Sequence, residues 1–258
     1  MDGVTMTFSA DKLILAVKLK KYTRYPAKKL DYLTHCSQRN KFIYFCTPKV
    51  ASSKLKILLQ IAESRSLGLP DPQGYLQKED SPLVGFIKLG VDLKTLFESD
   101  EFYRFTFVRN PYTRILSSYL EKIVHGKKRN RYLKKLGFKE NADVSFREFL
   151  QALTSPQKLH LNPHWAPQFH FLRPDRIRYH FIGRLEHIND HLPAVVKRIY
   201  NDVNLNDIIS KEERTHATGA LEKVKKYYGT DEIELVRRLY INDFIYFSYP
   251  LDIELCSI

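Results

Sequence analysis

A chain of 258 residues with 43% hydrophobic and 13% aromatic side chains can bury one large α/β core or two small ones, which excludes global disorder. The formal net charge of +13 favours an anionic partner such as nucleic acid, acidic polysaccharide, nucleotide or membrane surface, although a basic surface that only aids solubility would look the same. Three cysteines, Cys36, Cys46 and Cys256, are odd in number and lack metal-ligand spacing, which argues for a reducing compartment and against a disulfide framework or a metal site.

From the N-terminus, Leu13 to Val17 is the only early apolar run, and Lys12 and Lys18 close it. It is too short to span a bilayer and has no small-residue cleavage pattern, so neither a transmembrane anchor nor a secretion signal is expected. Residues 1–40 read as a partly helical N-terminal extension, and 41–258 as the working domain. "KFIYFCT" (41–47) reads as a strand buried on both faces. Leu55, Leu58, Leu59 and Ala62 follow at helical spacing, with Ser52 or Ser53 as N-cap. "GLPDPQG" (68–74) is a loop, and 85–99 holds a short helix. "FYRFTFVRN" (102–110) is a second strand, running into a helix capped by Asn110 with Pro111 at its first position. Residues 125–141 are basic and polar and read as a surface loop or insertion. "SFREFLQAL" (145–153) opens on a capping box, Ser145 with Glu148. "IRYHFIG" (177–183) is a third strand, and the rest is mainly helical, with Asp231 and Glu234 as a second capping box. Alternating strands and helices predict a three-layer α/β, P-loop-like fold: a central, mainly parallel sheet flanked by helices.

Two strand-to-helix corners carry anion-binding chemistry. In "TPKVASSK" (47–54), free backbone N–H groups and the positive end of a helix dipole meet Lys49, two hydroxyls and the small Ala51. No G-x-x-x-x-G-K-[ST] occurs, so a nucleoside triphosphatase loses ground. An ordinary turn with a solvated lysine fits this segment equally well. In "FVRNPYTRILSSY" (107–119), Arg109 ends a strand, and Thr113 and Ser117 share one helix face, forming a second clamp. Arg114 reads as a solvated or ion-paired helix residue or as part of that clamp. Two such corners about 60 residues apart imply one ligand with phosphates at both ends.

These residues carry a resemblance. "FIYFCTPKVASSKLK" resembles the 5′-phosphosulfate loop, and "RNPYTRILSSY" the 3′-phosphate motif, of sulfotransferases that use 3′-phosphoadenosine 5′-phosphosulfate (PAPS). "NPHWAPQ" (162–168) and "FIGRLEHIND" (181–190) resemble further segments of the carbohydrate branch, of the HNK-1 and chondroitin 4-sulfotransferase type (sulfotransferase family 2), in the expected order. Ser52, Ser53 and Lys54 stand where that branch usually has Cys or Gly, then Thr or Ser, then Asn. The resemblance implies a sulfotransferase domain over 41–258, PAPS as co-substrate, a carbohydrate hydroxyl as acceptor and no metal. Without an anchor or leader, the location expected is the cytoplasm if the source is bacterial, the Golgi lumen being the weaker expectation.

The site implied by the resemblance is concrete. Pro48, Lys49, Val50, Ala51, Ser52, Ser53 and Lys54 would hold the phosphosulfate, with Lys49 at the bridging oxygen. Arg109 and Ser117 would hold the 3′-phosphate. Transfer needs positioning and charge stabilisation, by analogy with phosphoryl transfer, and a base for the acceptor hydroxyl. His164, beside the only tryptophan, is the candidate base or a structural histidine; His180 and Glu186 are weaker candidates, His180 reading better as a strand residue and Glu186 as one that fixes a helix terminus or loop, and Arg184 pairs with Glu186 or touches the nucleotide. The basic run from Lys127 to Lys135 is a solvated face or a guide for an acidic glycan, and a peripheral membrane contact is compatible with the charge. Acceptor choice is expected in the loops 63–82 and 125–143. Rival readings are a nucleic-acid-binding module, an ATP-dependent kinase, and an inactive glycan-binding relative. Burial of Lys49 in a salt bridge away from the cleft would mark the last of these.

Overall fold

A run that is apolar at every position must be covered on both sides, and "FIYF" is covered on both. The computed structural model describes residues 13–201 and 220–254 (main chain only over 220–222). Four strands form one sheet in the order β1 (Thr34–Ser37), β2 (Phe42–Phe45), β3 (Tyr103–Val108) and β4 (Phe181–Arg184). β1 pairs antiparallel with β2, while β2–β3 and β3–β4 are parallel. Ile43, Phe45 and Val108 enter one core, and Phe42, Tyr44, Phe105 and Phe107 enter the other, as the two-residue strand period requires.

The helices, in chain order, are α1 (residues 13–19), α2 (Ala27–Leu33), α3 (Ser52–Ser66), α4 (Phe86–Leu89), α5 (Leu93–Phe97) and α6 (Pro111–Tyr119). After them come α7 (Arg129–Leu136), α8 (Phe146–Ala152), α9 (Pro156–Leu159), α10 (Gln168–Leu172) and α11 (Ile188–Ile199). Beyond the gap, α12 (Ala220–Tyr227), α13 (Thr230–Leu239) and α14 (Ile241–Tyr246) complete the set. Leu55, Leu58, Leu59 and Ala62 of α3 join Leu192, Val195 and Val196 of α11 over one face of the sheet. Tyr112, Ile115, Leu116 and Tyr119 of α6 join Phe149 and Leu150 of α8 over the other. The result is a mixed α/β fold, a central four-stranded sheet flanked by helices.

Several expectations meet the structure with adjustments. Asn110 caps α6 by accepting from the Tyr112 N–H, and the Ser145–Glu148 capping box is present. The N-cap of α3 is Ala51, in the left-handed region at φ 56°, so Ser52 and Ser53 occupy the first turn instead. At α13 the Gly229 N–H donates to Glu232 at 2.9 Å, which moves that cap ahead of the expected Asp231–Glu234 pair. The strand expected over 177–183 starts only at Phe181 and runs one residue further, to Arg184. The basic stretch 125–141 is not a bare loop, because α7 buries Leu133 and Leu136 and packs Tyr132 edge-on to Trp165. Within the stretch read as an extension, β1 forms the sheet edge, and Leu19, Tyr22, Leu30 and Leu33 enter the core. Cys36 and Cys46 are buried free thiols, and Cys256 lies outside the described residues.

Gly183 sits where β4 crosses Phe107. A Cβ there would lie 2.5 Å from the Phe107 ring and 2.9 Å from the Phe181 ring. Phe107 is fully buried and has little room to move. Gly183→Ala should therefore lower the unfolding free energy by about 1–3 kcal/mol, read as a reduced urea midpoint at unchanged slope.

Candidate active site

Parallel strands end together, so the loops after β2 and β3 open on the same edge of the sheet, where open α/β folds place their ligands. The first loop runs through Pro48 and Lys49 into α3, and the second through Arg109 and Asn110 into α6. Both present helix N-termini of sufficient length to carry a useful dipole.

The two corners face one cleft with two lobes. The first, of about 340 Å³, is lined by Pro48, Lys49, Ala51, Ser52, Ser53, Lys54, Glu121 and His164. The second, of about 440 Å³, is lined by Lys49, Arg109, Thr113 and Ser117 with Glu121, His125 and Lys223. Lys49 and Glu121 belong to both lobes. Pro48, Lys49, Ala51, Ser52, Ser53, Lys54, Arg109, Ser117 and His164 thus line the two lobes, while the Val50 side chain is in the core and only its main chain remains for a ligand.

Each cation is held differently. Arg109 donates from Nε to Thr113 Oγ1 at 2.9 Å and from Nη1 to the Lys49 carbonyl at 3.2 Å. No described carboxylate lies within ion-pair distance of it. The Gln168 amide clasps the Arg109 main chain, accepting from its N–H and donating to its carbonyl, both at 2.9 Å. Asp243, fully buried, accepts from the Gln168 and Phe169 N–H groups at 2.8 and 2.7 Å. Lys49 is paired with Glu121, and burial lowers its pKa despite that carboxylate. Burial pushes the Glu121 carboxyl up, but hydrogen bonds from Lys122 and Lys49 outweigh it and hold the group at about 2.

Arg114 is not solvated, and no described carboxylate lies within ion-pair distance of it. It is buried and donates to the carbonyls of Pro48 at 3.2 Å, Ala166 at 2.9 Å and Pro163 at 2.7 Å. It therefore ties the Lys49 loop to the segment bearing His164. Ser118 adds a bond to the His164 carbonyl at 2.5 Å.

His164 lines the first lobe, and its protonation can be deduced. Its own N–H donates to Asn162 Oδ1 at 3.0 Å, and its Nδ1 lies 2.7 Å from the same oxygen. A backbone N–H can only donate, so Oδ1 is an acceptor and Nδ1 carries the proton, leaving Nε2 with a lone pair. Burial, with Lys122 adding to it, lowers the imidazole pKa to about 3. Trp165 is fully buried and donates to the Lys158 carbonyl at 3.0 Å, so it belongs to the core.

The weaker candidates are structural. His180 accepts from the Arg104 N–H at 3.1 Å and reaches Asp100 with Nε2 at 3.1 Å. Glu186 accepts from the Asn110 N–H at 2.8 Å and from the Tyr249 hydroxyl at 2.9 Å. Arg184 does not pair with it but donates to the carbonyls of Phe247 and Ser248. Among the described residues no cluster of His, Cys, Asp or Glu is placed to hold a metal ion, and no helix is long and apolar enough to cross a membrane. Glu121 and Gln168 are the residues that sequence reasoning passed over. Glu121 was within reach, since Thr113, Ser117 and Glu121 recur every four residues on one helical face.

The fold gathers lysine, arginine and serine where two strands run into helices, and the sequence profile of the Sulfotransferase family matches residues 32–250. The chain belongs to that family. It is similar to carbohydrate sulfotransferase 14 of Mus musculus, 26% identical over 230 residues, covering 83% of this chain and 59% of the relative. It is 24% identical to carbohydrate sulfotransferase 12 of Xenopus laevis over 286 residues, covering 93% of this chain and 65% of the relative. Carbohydrate sulfotransferase 10 of Rattus norvegicus is 25% identical over 253 residues, covering 85% and 67%. The chain spans about three fifths of the length of the first of these relatives. No solved structure matches the chain.

Two outcomes test this arrangement. Arg114→Leu would leave three interior carbonyls without a donor and should cost about 3 kcal/mol or more in urea unfolding. For His164, the folded pKa of about 3 lies below the ordinary 6.5, so the unfolded state binds the extra proton in that window. The stability it contributes is complete above pH 6.5 and drains away as pH falls toward 3. His164→Gln should flatten that acid limb by one proton, about 1.4 kcal/mol per pH unit, in unfolding curves taken near pH 5.

Proposed function

We propose that this chain moves a sulfuryl group from PAPS to a hydroxyl of a carbohydrate, using the β2–α3 loop as a P-loop-like cradle without a Walker sequence. The observation that carries the reading is the shared cleft: Lys49 lies in both lobes, Ser52 and Ser53 in one, and Arg109 and Ser117 in the other. The fit to a ligand with phosphate groups at both ends is electrostatic as well as spatial. Arg109 is partly buried, and no described carboxylate lies within ion-pair distance of it, which leaves its charge available as a phosphate clamp requires. The relatives' names add the acceptor class, since each is a carbohydrate sulfotransferase.

When bound, the nucleotide supplies the sulfuryl group for transfer. Lys49 offsets the negative charge that develops on the departing side, and the hydroxyls of Ser52 and Ser53, with the N–H groups of 50–54, orient the 5′ end. Arg109 and Ser117 select for the 3′-phosphate. His164 Nε2 takes the acceptor proton, its tautomer set by Asn162. Lys127, Lys128, Arg131, Lys134 and Lys135 are exposed and suit an acidic glycan, whereas Arg129 is committed to the Ile123 carbonyl at 2.6 Å. Lys49 does sit in a salt bridge, but inside the cleft rather than away from it, so the inactive-relative reading gains nothing.

Calorimetric titration with 3′,5′-adenosine bisphosphate, 5′-AMP and ATP tests the reading. The bisphosphate should bind in clear preference to 5′-AMP. Lys49→Ala and Arg109→Ala, while still folded by circular dichroism, should each weaken it about 10- to 100-fold, the worth of one charge-assisted clamp. Equal binding of bisphosphate and 5′-AMP would defeat the two-clamp argument.

A further inference from the structure

A carboxylate is out of place in a cleft built for anions, yet Glu121 borders both lobes. It stands one helical turn beyond Ser117, where α6 widens into a π-helical turn over Leu120–Val124. Such turns often mark functional positions. Its two oxygens are divided between two ammonium groups: Oε2 meets Lys49 Nζ, and Oε1 meets Lys122 Nζ at 2.5 Å. The Lys49 side chain is only 14% exposed, whereas that of Glu121 is 49% exposed, so the pair spans the boundary between cleft and solvent.

We propose that Glu121 is a positioning residue that parks the Lys49 ammonium between the two lobes until an anionic ligand takes it over. The inference rests on the donor-binding reading above and adds a competitor to it. A ligand phosphate entering the Lys49 lobe competes with the Glu121 carboxylate for one cation. Lys122 makes the exchange feasible, since it stays on Oε1 and keeps the carboxylate from being left as an unpaired charge beside the ligand. Parking also keeps this largely buried ammonium paired while no ligand is present, when an isolated one would lose its proton more readily. The cation is thus presented only against an anion that outbids a neighbouring carboxylate, which biases the lobe toward multiply charged ends.

The test measures the Kd of 3′,5′-adenosine bisphosphate by calorimetry, and turnover, for the wild type, Glu121→Gln and Glu121→Asp. Parking predicts that both variants bind about two- to fivefold more tightly, the worth of a half-exposed ion pair. Gln removes the charge, and Asp withdraws it by one methylene. Tightening in Gln alone would mean that Glu121 acts by general repulsion of the ligand, and would overturn parking. Unchanged or weaker binding in both variants would overturn it too. So would unchanged Kd with turnover abolished in Gln, which would make Glu121 the proton acceptor. Failure of the wild type to bind the bisphosphate would instead sink the donor-binding reading itself.

Discussion

The buried guanidinium of Arg114 is the joint on which the cleft depends. It comes from the first turn of α6 and reaches the Pro48 carbonyl on one side and the Pro163 and Ala166 carbonyls on the other. Desolvating a guanidinium is costly, and no described carboxylate is within ion-pair reach of it. Three carbonyl acceptors, with the field of the buried Asp243, offset that cost. In return, one side chain sets the distance between the segment that carries Lys49 and the segment that carries His164. A second interior line converges from α14: Asp243 fixes the start of α10, and the Gln168 amide then grips both polar groups of the Arg109 main chain. Cleft positions are therefore held by interior polar contacts whose geometry is demanding because few alternatives exist inside a protein.

The loop these contacts hold is not a relaxed one. Lys49 and Ala51 both lie in the left-handed region, at φ 74° and 56°, although neither is glycine. Each costs on the order of 1–2 kcal/mol relative to ordinary backbone. Arg109 contributes to holding them through its bond to the Lys49 carbonyl, which couples the two strand-to-helix corners through the main chain. The left-handed Ala51 also explains the displaced helix cap. With Ala51 at that position, the Ser52 and Ser53 side chains are not used for capping, and both line the first lobe.

Strong local patterns were legible in the sequence. The all-apolar "FIYF" made β2, the Asn110–Pro111 pair started α6, and the Lys49 and Arg109 corners could be set in one site because both follow parallel strands. What escaped had no local signature. β1 is only four residues, Thr34-His35-Cys36-Ser37, without alternation, and it is a strand because β2 offers it an edge. Leu133 and Leu136 define the buried stripe of α7, but the surrounding lysines and arginines hide it from a composition-based reading. Arg114 looked like any helical arginine, since its three partners are carbonyls, which every residue has. Its role is set by tertiary placement, and a single sequence does not show that.

The charge balance of the cleft links its parts chemically. Burial dominates the low pKa of His164, Lys122, Arg114 and Lys49 lower it further, and Glu121 opposes them. The imidazole is therefore neutral at physiological pH, with the lone pair on Nε2, but it is a weak base while those cations dominate its surroundings. A ligand bearing several negative charges in the adjoining lobe would reverse the local sign and raise the imidazole pKa toward its ordinary value. Proton acceptance by His164 would then be strongest when the anionic donor is in place and weakest when it is not. Under the proposed function, the cations that would hold the donor would also set when the base could work, so donor binding and acceptor activation would be two effects of one electrostatic arrangement.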